Sequence, residues 1–127
     1  MDNNNYNIIS LAYLGDSVYE VYIREYLIRS SDYKVSDISR KVIPYVCAKG
    51  QADLLDYLLE KNIFNDYELD IIKRGRNYKR SVHPKTTDII TYKKSTGFEA
   101  LFGQLYIDGN IKRIEEIIRE VKNANIW

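Results

Sequence analysis

The sequence contains one cysteine, Cys47, one histidine, His83, and two prolines. A single cysteine excludes an intrachain disulfide and a Cys-rich zinc site, and its scarcity fits the reducing cytoplasm. Nothing around Val46-Cys47-Ala48 pairs a nucleophile with a base, so Cys47 is expected in the core. His83 stands between Val82 and Pro84 with no second histidine and no paired acid beside it, and no catalytic role is expected of it. A glycine-rich phosphate loop and a serine nucleophile elbow are both missing. No apolar run approaches the length of a membrane span, and the N-terminal Met-Asp-Asn-Asn-Asn lacks the charged and apolar regions of a secretion signal. Neither a membrane partner nor export is expected.

A chain of 127 residues has the length of one domain and can bury roughly two-thirds of its unfolded surface. One domain spanning 1–127 is expected. The formal net charge is only +1, but it is unevenly spread. Between Lys73 and Lys94 stand eight basic residues and one acid, Asp88, a local charge of +7 that leaves −6 for the remainder. A concentrated basic segment on an acidic body is the footprint of a polyphosphate-binding surface. Arg74, Arg76, Lys79, Arg80, Lys85, Lys93 and Lys94 are the phosphate-binding candidates, with Asn77, Thr86 and Thr87 able to hydrogen-bond phosphate or ribose. Tyr78 and Tyr92 are interleaved with these cations.

Apolar residues recur at helical spacing along nearly the whole chain, with no strand-like alternation. A first helix is predicted over residues 5–29, apolar over so wide an arc between Val18 and Leu27 that it needs neighbours on two sides. Ser36 is a candidate cap for a second helix, with Pro44 imposing a kink or break, so that residues 36–61 form one bent helix or two. Asn65 and Glu68 read as a capping pair for a helix that fades at Gly75. Residues 75–87 have loop composition. A further helix starts at Thr87 or Ser95 and ends at Asp108-Gly109, and Asn110 caps the last, whose apolar stripe is Ile111, Ile114, Ile117, Ile118 and Val121. The class is all-α, with five to seven helices.

Two segments depart from plain amphipathic patterning. In Leu11-Ala12-Tyr13-Leu14-Gly15-Asp16 an acid follows a helix glycine, with Ala12 one turn earlier. In Gly97-Phe98-Glu99-Ala100-Leu101-Phe102-Gly103, small residues at helical spacing surround Glu99 in the same way. Packing of the two small faces would bring Asp16 and Glu99 together, where they repel unless protonated or bridged by a cation such as Mg²⁺. Spacing alone favours a structural role for both acids over a metal site.

The two segments in this order are nevertheless specific. Leu14-Gly15-Asp16-Ser17-Val18 resembles the signature helix of the ribonuclease III catalytic domain, and Phe98 to Tyr106 resembles that family's second catalytic segment. Arg74-Gly75-Arg76-Asn77, Pro84-Lys85-Thr86-Thr87-Asp88 and Tyr92 resemble the compact branch called Mini-ribonuclease III. The resemblance implies a homodimeric, all-helical catalytic domain without a separate double-stranded-RNA-binding domain, and makes Asp16 and Glu99 the catalytic metal-binding carboxylates. It implies Mg²⁺, with Mn²⁺ as a substitute, and hydrolysis of double-stranded RNA to 5′-phosphate and 3′-hydroxyl ends. It further implies maturation of 23S ribosomal RNA precursor, with a ribosomal protein as an accessory partner, and an RNA surface at Arg74, Arg76, Asn77, Lys79, Arg80, Lys85, Thr86, Tyr92, Lys93 and Lys94. The chain departs from full-size ribonuclease III at Ile9, Ala12 and Thr96, where that enzyme has carboxylates. Fewer acids leave open the number of metal ions, and also a dimer that binds structured RNA without cutting it.

Overall fold

The computed structural model of the chain describes residues 6–30, 34–79 and 88–124. Among them are seven helices and no strand: α1 (Ile8–Ser30), α2 (Val35–Lys41), α3 (Ile43–Val46), α4 (Ala48–Glu60), α5 (Asp66–Asn77), α6 (Ile89–Ile107) and α7 (Ile111–Asn123). The all-α expectation holds. Among the described residues, no helix is long and apolar enough to cross a membrane.

Helix α6 is the axis of the fold, packed against α1, α4, α5 and α7. Its residues from Ser95 to Leu105 are buried in succession, with Glu99 alone in that run partly open. A helix covered on every side must let its neighbours come close, and α1 comes closest. A β-carbon added to Gly15 would lie 1.7 Å from the Glu99 carbonyl oxygen, and one added to Gly103 would lie 1.9 Å from that of Leu11. The backbones of α1 and α6 therefore touch where glycine alone fits. Beside this contact Tyr19, Phe98 and Phe102 form an aromatic cluster with ring centroids 5.0 to 5.1 Å apart. The Tyr19 hydroxyl donates to the Tyr45 carbonyl at 2.9 Å, tying α1 to α3.

The predicted second helix differs most from its expectation. Residues 35–60 form three helices because the chain breaks twice: Pro44 sits in the first turn of α3, and Cys47 turns extended to begin α4. Ser36 lies inside α2, whose N-cap is Lys34. Cys47 is exposed rather than in the core, since its Sγ caps α4 by accepting from Gly50 N at 3.3 Å. Gly75 does not end α5, which runs on to Asn77 because Gly75 packs against α6, where its β-carbon would be 2.8 Å from the Gly97 Cα. Helix α6 begins at neither Thr87 nor Ser95 but after Asp88, which accepts from Thr91 N at 2.8 Å.

The Asn65 and Glu68 capping box is present, and Glu68 does a second task. It is 1% exposed and receives Arg113 of α7, with Nε at 2.6 Å from Oε2 and Nη2 at 2.8 Å from Oε1. Nη2 also donates to the Ile63 carbonyl at 2.6 Å. Removing one partner of such a pair leaves the other buried and uncompensated. Arg113→Ala is expected to lower unfolding free energy by about 3 kcal/mol, read from urea unfolding. Arg113→Lys should recover only part of it, lacking the planar fork; a loss under 1 kcal/mol for Arg113→Ala would show the pair to be incidental.

Candidate metal centre and nucleic-acid interface

The Gly15 contact places the residue after it, Asp16, beside Glu99 of α6. The two carboxyl groups hydrogen-bond to each other, Asp16 at the surface and Glu99 largely buried. Burial pushes the Glu99 carboxyl up to about 8, helped by the Asp16 charge and the hydrogen bond to Asp16, and opposed by the Gln51 side chain. Gln51 belongs to the first turns of α4 and is 1% exposed, so a third helix reaches the pair.

Without metal the folded chain keeps the Glu99 proton up to about pH 8, whereas the unfolded chain releases it near 4.5. The folded state thus holds more protons between these values, and stability must fall as pH rises through them. After allowance for the partly open site, about 2 kcal/mol is expected to be lost between pH 5 and 8.5 in EDTA, with Glu99→Gln abolishing that loss. A wild-type Tm that climbs over this range in parallel with the variant would show that Glu99 is ionised throughout.

Two adjacent carboxyl groups, offering oxygen donors alone, fit a hard divalent cation that fills its remaining positions with water and substrate oxygens. No group of three or more His, Cys, Asp or Glu side chains gathers among the described residues, so these two carboxylates are the whole acidic set. Ile9, Ala12 and Thr96 supply no further acid.

The basic end of α5 lies against the same helix. Gly75 packs on Gly97, two residues before Glu99, and Arg74, Arg76, Asn77 and Lys79 around it are exposed. Lys73, Arg74 and Asn77 line a shallow groove with Tyr6, Asn7, Asp70 and Tyr78. Of the other predicted contacts, Lys93 and Tyr92 are half-buried on α6, and Lys94 is paired with Asp56 of α4 at 3.0 Å. Arg80, Lys85 and Thr86, together with His83, lie outside the described residues. Gln51 was not singled out by sequence reasoning. Its signal was available: three, four and seven residues before Leu54, Leu55 and Leu58, it occupies the buried stripe of α4.

Residues 9–110 match the family model described as "Ribonuclease III domain". The Mini-ribonuclease 3 of Staphylococcus aureus is 42% identical over 91% of this chain and 86% of its own length. That of Streptococcus pneumoniae is 40% identical over 93% and 92% respectively. A crystal structure of a Fusobacterium nucleatum protein superposes with a TM-score of 0.83 at 27% identity, covering 98% of this chain and 99% of that one. The match spans both acid-bearing helices and the basic end of α5, and the chain belongs to the ribonuclease III family, within the group of Mini-ribonucleases.

Proposed function

We propose that this chain, an endoribonuclease by its family, hydrolyses double-stranded RNA at a Mg²⁺ centre held by Asp16 and Glu99. The observation that carries this reading is the meeting of the two carboxyl groups across a helix contact too close for any residue but glycine. Asp16 and Glu99 would hold the Mg²⁺ or Mn²⁺, which when bound would supply an activated water and charge neutralisation at the leaving 3′ oxygen, and the products would carry 5′-phosphate and 3′-hydroxyl ends. The protein's part is to bring two acids to one edge of a buried helix, where Glu99 would have to give up its proton to solvent to hold a cation. Arg74, Arg76, Asn77 and Lys79 then receive the phosphates of the duplex, which is recognised by its A-form shape.

A homodimer belongs to the proposal. On α1, Val21 is 63% and Ile28 60% exposed, so the wide apolar arc is covered on one side only. A second copy of α1 would cover the other, and each subunit would cut one strand. The substrate class extends to 23S ribosomal RNA precursor in the cytoplasm, with a ribosomal protein as accessory. A dimer that grips structured RNA without cutting is the competing outcome, favoured by the small acidic set.

End-group analysis of long duplex RNA incubated with protein and Mg²⁺ tests the reaction: 5′-phosphate and 3′-hydroxyl fragments are expected, and RNA retained intact in a complex would leave a binding protein. For the interface, replacing Arg74, Arg76 and Lys79 with Ala should weaken duplex binding in Ca²⁺ and flatten the plot of log affinity against log salt by about 3. An unchanged slope would place the phosphate surface elsewhere.

A further inference from the structure

We infer that Gln51 is a positioning residue of the acidic centre, its buried side-chain amide holding the Glu99 carboxylate in the orientation that accepts a divalent cation. This rests on the reading of Asp16 and Glu99 as a cation site and adds a third helix to it.

Among the described residues, five polar or charged side chains are buried: Gln51, Glu68, Ser95, Thr96 and Gln104. Glu68 is satisfied by Asn65 N and Arg113, Ser95 and Thr96 by the Tyr92 carbonyl, and Gln104 by Asp108. Gln51 Nε2 has no hydrogen-bond partner of normal geometry, the one such side-chain atom among the described residues. Buried donors are left unpaired rarely, because they give up water for nothing. The Glu99 carboxyl is the neighbour of this one, and the Gln51 side chain favours the ionised form of that carboxyl.

The rest of the chain fixes the position of Gln51. Helix α4 starts at Cys47, whose Sγ holds Gly50 N, and Gly50 abuts α3 so closely that a β-carbon would lie 1.8 Å from the Pro44 carbonyl oxygen. Gln51 follows immediately, with its own N–H bonded to the Cys47 carbonyl at 2.9 Å. Leu54, Leu55 and Leu58 then continue the stripe, so an apolar side chain at 51 would have extended it without leaving a donor unpaired. The last torsion of a glutamate is broad and two-fold, and a donor at its carboxylate narrows it. Residues that orient ligand carboxylates in this way commonly tune metal affinity by ten- to a hundredfold when removed.

Gln51→Met keeps length and bulk while removing the donor. The test is Mn²⁺ binding by RNA-free protein, followed by electron paramagnetic resonance, with Tm measured beside it. Wild type is expected to bind and Asp16→Asn to lose binding; Gln51→Met should bind roughly ten- to a hundredfold more weakly, with Tm unchanged or raised. A scaffold residue would show the reverse, a lower Tm with unaltered affinity, and that result overturns the inference. So does equal affinity in wild type and variant, or failure of both Gln51→Met and Gln51→Leu to fold. Wild type that binds no Mn²⁺ removes the centre itself, a failure distinct from that of Gln51 alone.

Discussion

Asp16→Asn and Glu99→Gln are each expected to reduce duplex-RNA cleavage by roughly a thousandfold or more while leaving the fold intact. Loss of a ligand carboxylate forfeits several kcal/mol of transition-state stabilisation, and each 1.36 kcal/mol is a factor of ten in rate. The effect on stability runs the other way. The two acids meet where burial and mutual repulsion already push the Glu99 carboxyl up to about 8, so neutralising either removes a conflict from the metal-free protein. At pH 8 in EDTA, both variants should match or exceed the wild-type Tm. Single-turnover cleavage beside thermal unfolding checks the pair of expectations. Variants that lose activity and stability together would show the carboxylates to be part of the scaffold.

Gly15→Ala has the largest expected effect on stability. Its β-carbon would stand 1.7 Å from the Glu99 carbonyl oxygen, an atom of a buried helix backbone that cannot swing aside. Helices α1 and α6 would have to separate, opening the Tyr19, Phe98 and Phe102 cluster. A loss of about 4 kcal/mol is expected, above the usual range for overpacking because the clash is with backbone, and a large share of a small domain's stability. Gly109 is the control. It has φ +74° with nothing near its β-carbon position, so alanine there should cost about 1 kcal/mol, from backbone conformation alone. Urea unfolding of the two variants separates close approach from turn geometry, and similar losses would refute the contact.

These glycines also show how far the fold was legible in the sequence. Small residues around each acid pointed to a close helix contact, and Gly15 and Gly103 make it. The same rule misled at Gly75: a glycine that ends most helices continues this one, because Gly97 faces it and the close approach offsets the entropy that glycine costs. Caps at Asn65 and Asn110 were readable because their bonds are local. Helices α2 to α4 were not, since the break at Cys47 depends on a thiol accepting from Gly50, in a residue whose type suggested the core. Long-range partnerships left no local trace. Glu68 looked like a cap alone, and its link to Arg113, 45 residues away, belongs to the tertiary fold. Asp16 and Glu99 were named from motifs, whereas Gln51 lay unnoticed in an apolar stripe until the third helix was seen beside them.

The most direct test is the dependence of duplex-RNA cleavage on Mg²⁺, measured in single turnover for wild type and Glu99→Gln across a titration from EDTA to excess metal. Wild type should be inactive in EDTA and saturate with Mg²⁺, while Glu99→Gln stays inactive or needs far more metal to reach a much lower rate. Cleavage by wild type in EDTA, or a variant with the wild-type metal dependence, would contradict a cation centre built on Asp16 and Glu99.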